Sequence, residues 1–236
     1  MGLSEFDSPP LMPMTKRFWE LDALRGISIL AMVGIHLLYD LGISLPLPLR
    51  LAQDWGGCIF LVLSGICVTL GRHPIRRGLV VLGCGMVCTL VTWGMYALGL
   101  ASGQLIIWFG VLHCLGVCML LWPLFKKQRS RILVILAGLL VVLGFFLKSV
   151  LLNVPFLVPL GIRFPGFASA DYFPLLPNLG FFLLGAVAGR KLYSNKQSLF
   201  PHVRESRFLC FCGRHSLIIY LLHQPILCGI LWVISL

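Results

Sequence analysis

Charge is scarce in this chain, and negative charge is scarcest. Only 11% of its 236 residues are charged, with eight Asp and Glu against 19 Lys and Arg. A soluble domain carries about 25% charged residues, so a water-facing surface is excluded over most of the length. The histidines lack HxxH or HExxH spacing, which leaves no ligand pair on one helix face, and no metal is expected. No internal repeat and no soluble second domain can be found, so residues 1–236 read as one integral-membrane domain. A cleaved signal peptide is not expected, because no small-residue cleavage site follows the first apolar run. Gly2 is followed at position 6 by Phe6 rather than Ser or Thr, so a myristoylation signal is not met. The nine cysteines are an odd number and lie mostly in apolar runs, as at Cys84/Cys88 and Cys114/Cys118. They read as small packing residues rather than disulfides, and the lone CxC of Cys210 and Cys212 lacks a second half.

Apolar residues are what the chain has in abundance: 58% are hydrophobic and the mean hydropathy is +0.95. A helix needs about 20 apolar residues to cross a bilayer. Seven runs approach that: about Ala23–Leu41, Trp55–Leu70, Gly78–Leu98, Leu105–Leu124, Ile132–Leu152, Phe173–Gly189, and one from His215 to the C-terminus. A short interfacial segment, Phe208–Cys212, is expected before the last. The fold class is therefore all-α, a polytopic helical membrane bundle of about seven transmembrane helices.

Basic residues alternate with these runs. If the polar tail of residues 1–16 is cytoplasmic, every Lys and Arg except Arg50, Lys148 and Arg163 falls on the inner side. That asymmetry follows the positive-inside rule with an odd number of spans and puts the C-terminus outside. The net charge of +11 thus reads as topology, not as a nucleic-acid surface, because its clusters sit between apolar runs.

Within this frame the polar residues stand out. The first span, RFWELDALRGISILAMVGIHLLYDL, carries Asp22, Arg25, His36 and Asp40 at depths where ionisable groups are costly and point by default to function. Arg25 and His36 are eleven residues apart, which places them within about 20° of one helix face and about 16 Å apart along it. Asp40 follows His36 at i+4, where its carboxylate can reach the imidazole and set its tautomer. His113 in the fourth span and His223 in the last are expected inside the membrane, where three histidines on three helices could share a cavity. Asp54 and Trp55 open the second span on the outer side, and Asp171 with Tyr172 flank the sixth there, as candidate acceptor contacts. Plainer readings stand beside these. Arg25 can snorkel to headgroups, Asp40 and Asp54 can be solvated loop-end carboxylates, and His113 and His223 can be interhelical hydrogen-bond partners. The loops Arg72–Arg77 and Lys126–Arg131 are first of all topology signals.

Five stretches carry a family resemblance: the first span, FLVLSG at Phe60–Gly65, WFGVLHCLGV at Trp108–Val117, DYFPLLPNLGFFLLG at Asp171–Gly185, and GRHSLIIYLLHQP at Gly213–Pro225. Together they resemble the bacterial proteins grouped with the catalytic domain of heparan-α-glucosaminide N-acetyltransferase. The Arg-x10-His spacing with a Ser-Gly motif in the next span is also similar to the larger group of bacterial membrane acyltransferases that modify envelope glycans. The resemblance implies a multi-pass enzyme of the bacterial cytoplasmic membrane. It would transfer an acyl group, acetyl from acetyl-CoA, to a glycan or amino-sugar acceptor on the far side. The chain is shorter than the lysosomal enzyme and lacks its large lumenal portion, so heparan itself is not implied.

Acyl transfer from a thioester needs the acceptor deprotonated as it attacks, and the developing oxyanion stabilised. His36 oriented by Asp40 would act as base or as an acyl relay. His113 and His223 are candidate oxyanion donors or proton carriers. Coenzyme A carries several phosphates, which Arg25, Arg72, Arg76 and Arg214 at a cytoplasmic mouth would complement. A small proton-coupled transporter and a non-catalytic scaffold subunit are the alternatives, and homo-oligomerisation is compatible with either reading.

Overall fold

The computed structural model describes residues 18–234, apart from the side chain of Asp54. The expected N-terminal tail, residues 1–16, lies outside the described residues. Within them the fold is all-helical, 72% helix with no strand. Eight α-helices follow in order: α1 (Trp19–Asp40), α2 (Leu47–Leu70), α3 (Pro74–Ala97), α4 (Val111–Phe125), α5 (Ser130–Leu147), α6 (Leu175–Leu192), α7 (Arg207–Arg214) and α8 (Ser216–Ile234). Seven fall on the seven apolar runs and α7 on the short expected segment. Prolines set two of the starts: Pro46 and Pro48 open α2 and Pro74 opens α3, positions where a missing N–H costs nothing. Glu20 and Asp22 lie in the first turn of α1, where carboxylates complement the positive end of the helix.

Four helices, α1, α3, α5 and α8, are long and apolar enough to cross a membrane. α2 makes a fifth if its halves Leu47–Gln53 and Trp55–Leu70, bent by 47°, count as one span. The sequence runs implied seven. α4 is fifteen residues long, about 22 Å against a hydrocarbon core of about 30 Å. It starts at Val111, not Leu105, because the stretch before it is extended and tied to other elements. Thr89 Oγ1 donates to the Ile107 carbonyl, the Ile107 N–H donates to Thr92 Oγ1, and the Trp108 N–H donates to Ser169 Oγ.

α4 and α6 are the centre of the bundle. The main core joins Cys114, Cys118 and Trp122 of α4 to Leu61 of α2, Leu133 and Ala137 of α5, and Phe182, Leu183 and Ala186 of α6. α2 and α6 cross at glycines: a Cβ at Gly65 would land on the Phe182 carbonyl, and one at Gly185 on the Val62 carbonyl. Small residues let backbones approach this closely where no hydrophobic effect drives helices together. α7 lies against α1 in the same way, Gly26 against Leu209 and Gly213 against Asp22. The outer faces of α3, α5 and α8 expose Leu90, Val91, Trp93, Leu139, Phe146, Ile230 and Trp232. Such surfaces suit acyl chains rather than water.

Candidate active site

α1 and α8 come from opposite ends of the chain and pack together, and their contact brings His36 against His223. His36 Nδ1 lies 2.8 Å from His223 Nε2, and the rings are nearly parallel at 16° with centroids 5.0 Å apart. The tautomers follow from a third partner. His223 Nδ1 is 2.6 Å from the backbone carbonyl of Tyr220, which can only accept, so that nitrogen carries its hydrogen. Neutral His223 then has its lone pair at Nε2 and accepts from His36 Nδ1–H. This leaves the lone pair of His36 on Nε2, where it can take a proton.

Asp40 does not hold His36 in this arrangement. Its carboxylate accepts from Gln224 Nε2 at 2.9 Å, and the Nδ1 partner of His36 is an imidazole instead. The reason is the helix crossing: His223 and Gln224 are adjacent on α8, so one contact between α1 and α8 occupies both positions on α1. The i+4 spacing permitted an intrahelical pair, and the interhelical one was formed. Gln224 was missed in the sequence because a single amide beside a histidine carries no pattern.

The four arginines expected at the cytoplasmic mouth converge. Arg25, Arg72, Arg76 and Arg214 line one cavity of about 840 Å³, together with Arg77 and His73. They come from the start of α1, the end of α2, the start of α3 and the junction of α7 with α8, which all meet at one end of the bundle. The acid in this wall is Asp22, whose carboxylate pairs with Arg214 Nε at 3.5 Å. The balance of charge suits an anionic ligand with several phosphates. Deeper in, the wall turns apolar through Ile29, Phe60, Leu112 and Leu115 and ends at Tyr220. The Tyr220 ring stands 5.6 Å from that of His223, so one side chain separates the floor of the cavity from the histidine pair.

His113 stands elsewhere, with both nitrogens engaged. It accepts from the Gly110 N–H at Nδ1, 3.2 Å, and its Nε2 lies 3.2 Å from Thr89 Oγ1, whose own hydrogen goes to Ile107. His113 therefore donates to Thr89 and closes the first turn of α4. His113 is 3% exposed, and its ring lies against Gly85 of α3. The three histidines thus form a pair and a separate helix cap, not the single cavity that the spacing allowed.

Asp171 and Tyr172 frame the site from the α5–α6 loop. Asp171 Oδ2 accepts from the Val111 N–H at 2.9 Å and from the Tyr220 hydroxyl at 2.8 Å. Burial pushes its carboxyl above the ordinary range, an effect that the hydrogen bonds from Tyr220 and Val111 and the nearby His223 offset only in part. One carboxylate so joins the positive end of α4 to α8, one turn before His223. Tyr172 donates to the Val158 carbonyl at 2.8 Å, and burial pushes its phenol up to about 12. Both polar groups are engaged in holding the loop. Trp55 packs against Phe145 and Phe181, away from the pair, and the side chain of Asp54 lies outside the described residues.

Comparison with curated proteins and with solved structures returned no match. A family match is present: residues 17–225 fit the heparan-alpha-glucosaminide N-acetyltransferase catalytic family. The matched span begins just before α1 and ends just past His223, so it takes in the histidine pair and the arginine cavity. The family implies a transmembrane acetyltransferase, and the chain belongs to that catalytic family.

Proposed function

We propose that the chain moves an acetyl group from cytoplasmic acetyl-CoA to an acceptor, a glycan or amino sugar, on the outer side of a bacterial cytoplasmic membrane. The observation that carries this reading is His36 Nε2, a base with its tautomer set by His223, one side chain beyond an arginine-lined cavity. Family membership and the distribution of Lys and Arg support it.

The nucleotide and its phosphates would lie at Arg25, Arg72, Arg76 and Arg214, with the thioester reaching toward Tyr220 and His36. The Arg25–His36 separation of about 16 Å along α1 is close to the length of the arm between the diphosphate and the sulfur. His36 Nε2 takes the proton of the acceptor hydroxyl or amine as that atom attacks the thioester carbonyl. The C–S bond breaks as the tetrahedral centre collapses, and the imidazolium returns the proton to the leaving sulfur, giving coenzyme A and the acylated acceptor. His223 stabilises the imidazolium by accepting from Nδ1–H throughout, the role a carboxylate has in a hydrolase triad.

The test is release of thiol from acetyl-CoA by the purified protein in detergent, with an envelope glycan extract as acceptor, beside His36→Ala. Release by the wild type and a loss of about 100-fold or more in the variant is the expected result. Release that is equal in both removes His36 from the chemistry. If the wild type fails to bind acetyl-CoA, the donor assignment falls and solute flux into liposomes becomes the next measurement.

A further inference from the structure

Ser64 breaks a rule that its neighbours keep. Hydroxyls on apolar helices ordinarily donate to a carbonyl three or four residues earlier. Ser28 donates to Leu24, Thr69 to Ile66 and Thr92 to Cys88. Ser64 Oγ has no hydrogen-bond partner, and among the described residues it is the one buried side-chain oxygen or nitrogen so left. The residue is 6% exposed, in a helix where an unmet polar group is expensive. Its place is the wall of the arginine-lined cavity, at a point where a narrow side void also opens beside it.

Position along α2 says which part of a ligand arrives there. Ser64 precedes Leu70, the last residue of α2, by six residues, about 9 Å along the helix axis, with Arg72 two residues further on, and lies on the way from the arginine end to Tyr220. In acetyl-CoA the arm between the diphosphate and the sulfur holds two amides. The one nearer the sulfur begins about eight bonds from the phosphate oxygen, roughly 10 Å at the reach of an extended chain. Phe60, Leu115 and Met119 line the cavity beside it, and Arg77 shares the side void.

Building on the acetyl-CoA reading above, we infer that the Ser64 hydroxyl is the contact that grips the amide of the donor's arm nearest the thioester. It sets both the depth of the acyl group and the preference for a long, amide-bearing carrier over a small acyl phosphate. The hydroxyl, buried in the wall without a hydrogen-bond partner, gains one when the arm enters, so it contributes to binding without stabilising the ligand-free protein.

The experiment compares wild type with Ser64→Ala, both as full chains in detergent, by direct binding of acetyl-CoA and of adenosine 3′,5′-bisphosphate, the head without the arm. A thermal melt of each ligand-free protein controls for folding. The expected result is acetyl-CoA binding weakened about five- to tenfold in the variant. The bisphosphate should bind within about twofold of wild type, and the melting temperature should be unchanged or higher. Equal acetyl-CoA binding by the two proteins overturns the inference while leaving the donor assignment standing. Equal weakening toward both ligands also overturns it, since the residue then shapes the wall. A wild type that binds neither ligand overturns the donor assignment, and this inference with it.

Discussion

His36 Nδ1 and His223 Nε2 meet at 2.8 Å across 187 residues of sequence, and that contact determines which nitrogen of His36 is free. Loss of His223 should therefore act through His36. His223→Ala is expected to lower kcat by about 10- to 100-fold, the range for partners that orient a catalytic or ligating imidazole. KM for acetyl-CoA should be unchanged, because the arginine cavity is untouched. Steady-state kinetics at saturating acceptor would check this, and a rise in KM with constant kcat would contradict it.

Asp40→Asn separates two arrangements of the same helix. Asp40 holds Gln224, not His36, and an asparagine oxygen still accepts from that amide. Activity is expected within about threefold of wild type, against a loss of about 100-fold or more if the carboxylate were the imidazole's partner. Initial rates of thiol release give the answer.

Arg72→Ala with Arg76→Ala should raise KM for acetyl-CoA about 10- to 100-fold, the range for a lost charge-assisted hydrogen bond. kcat should change little, since neither side chain reaches the histidine pair. Wild-type affinity should also weaken as salt is raised, and the double variant should be less salt-sensitive. Titrations at two ionic strengths measure both.

His113→Ala is expected to cost stability, not chemistry. It strands the Gly110 N–H in a buried turn and removes a donor from Thr89, at about 2 kcal/mol. The melting temperature in detergent should fall, while kcat per folded molecule stays within about threefold. An intact melt with a lost kcat would place His113 in the reaction.

Much of the architecture could be read locally. The apolar runs of α1, α3, α5 and α8 needed only length and transfer energy to recognise. The pairing of α7 with α1 could not be read so, because it rests on Gly26 and Gly213 allowing two backbones to touch, and glycine is common along the whole chain. The late start of α4 was equally hidden. Ile106 and Ile107 look helical in an apolar run, and only Thr89, Thr92 and Ser169 on other segments make the extended form better.

By itself, then, the sequence determined the solvent in which this protein folds, the approximate helices, and the side chains whose burial would be expensive. Each depends on composition and on spacing along one helix, and both are local quantities. Tertiary structure alone decided which of those side chains meet. His223 took the place that Asp40 could have had, the arginines of four elements closed around one cavity, His113 became a helix cap, and Ser64 was left in the wall of that cavity without a hydrogen-bond partner. Such choices are set by how helices cross, and a crossing is a relation between distant segments that no single stretch encodes.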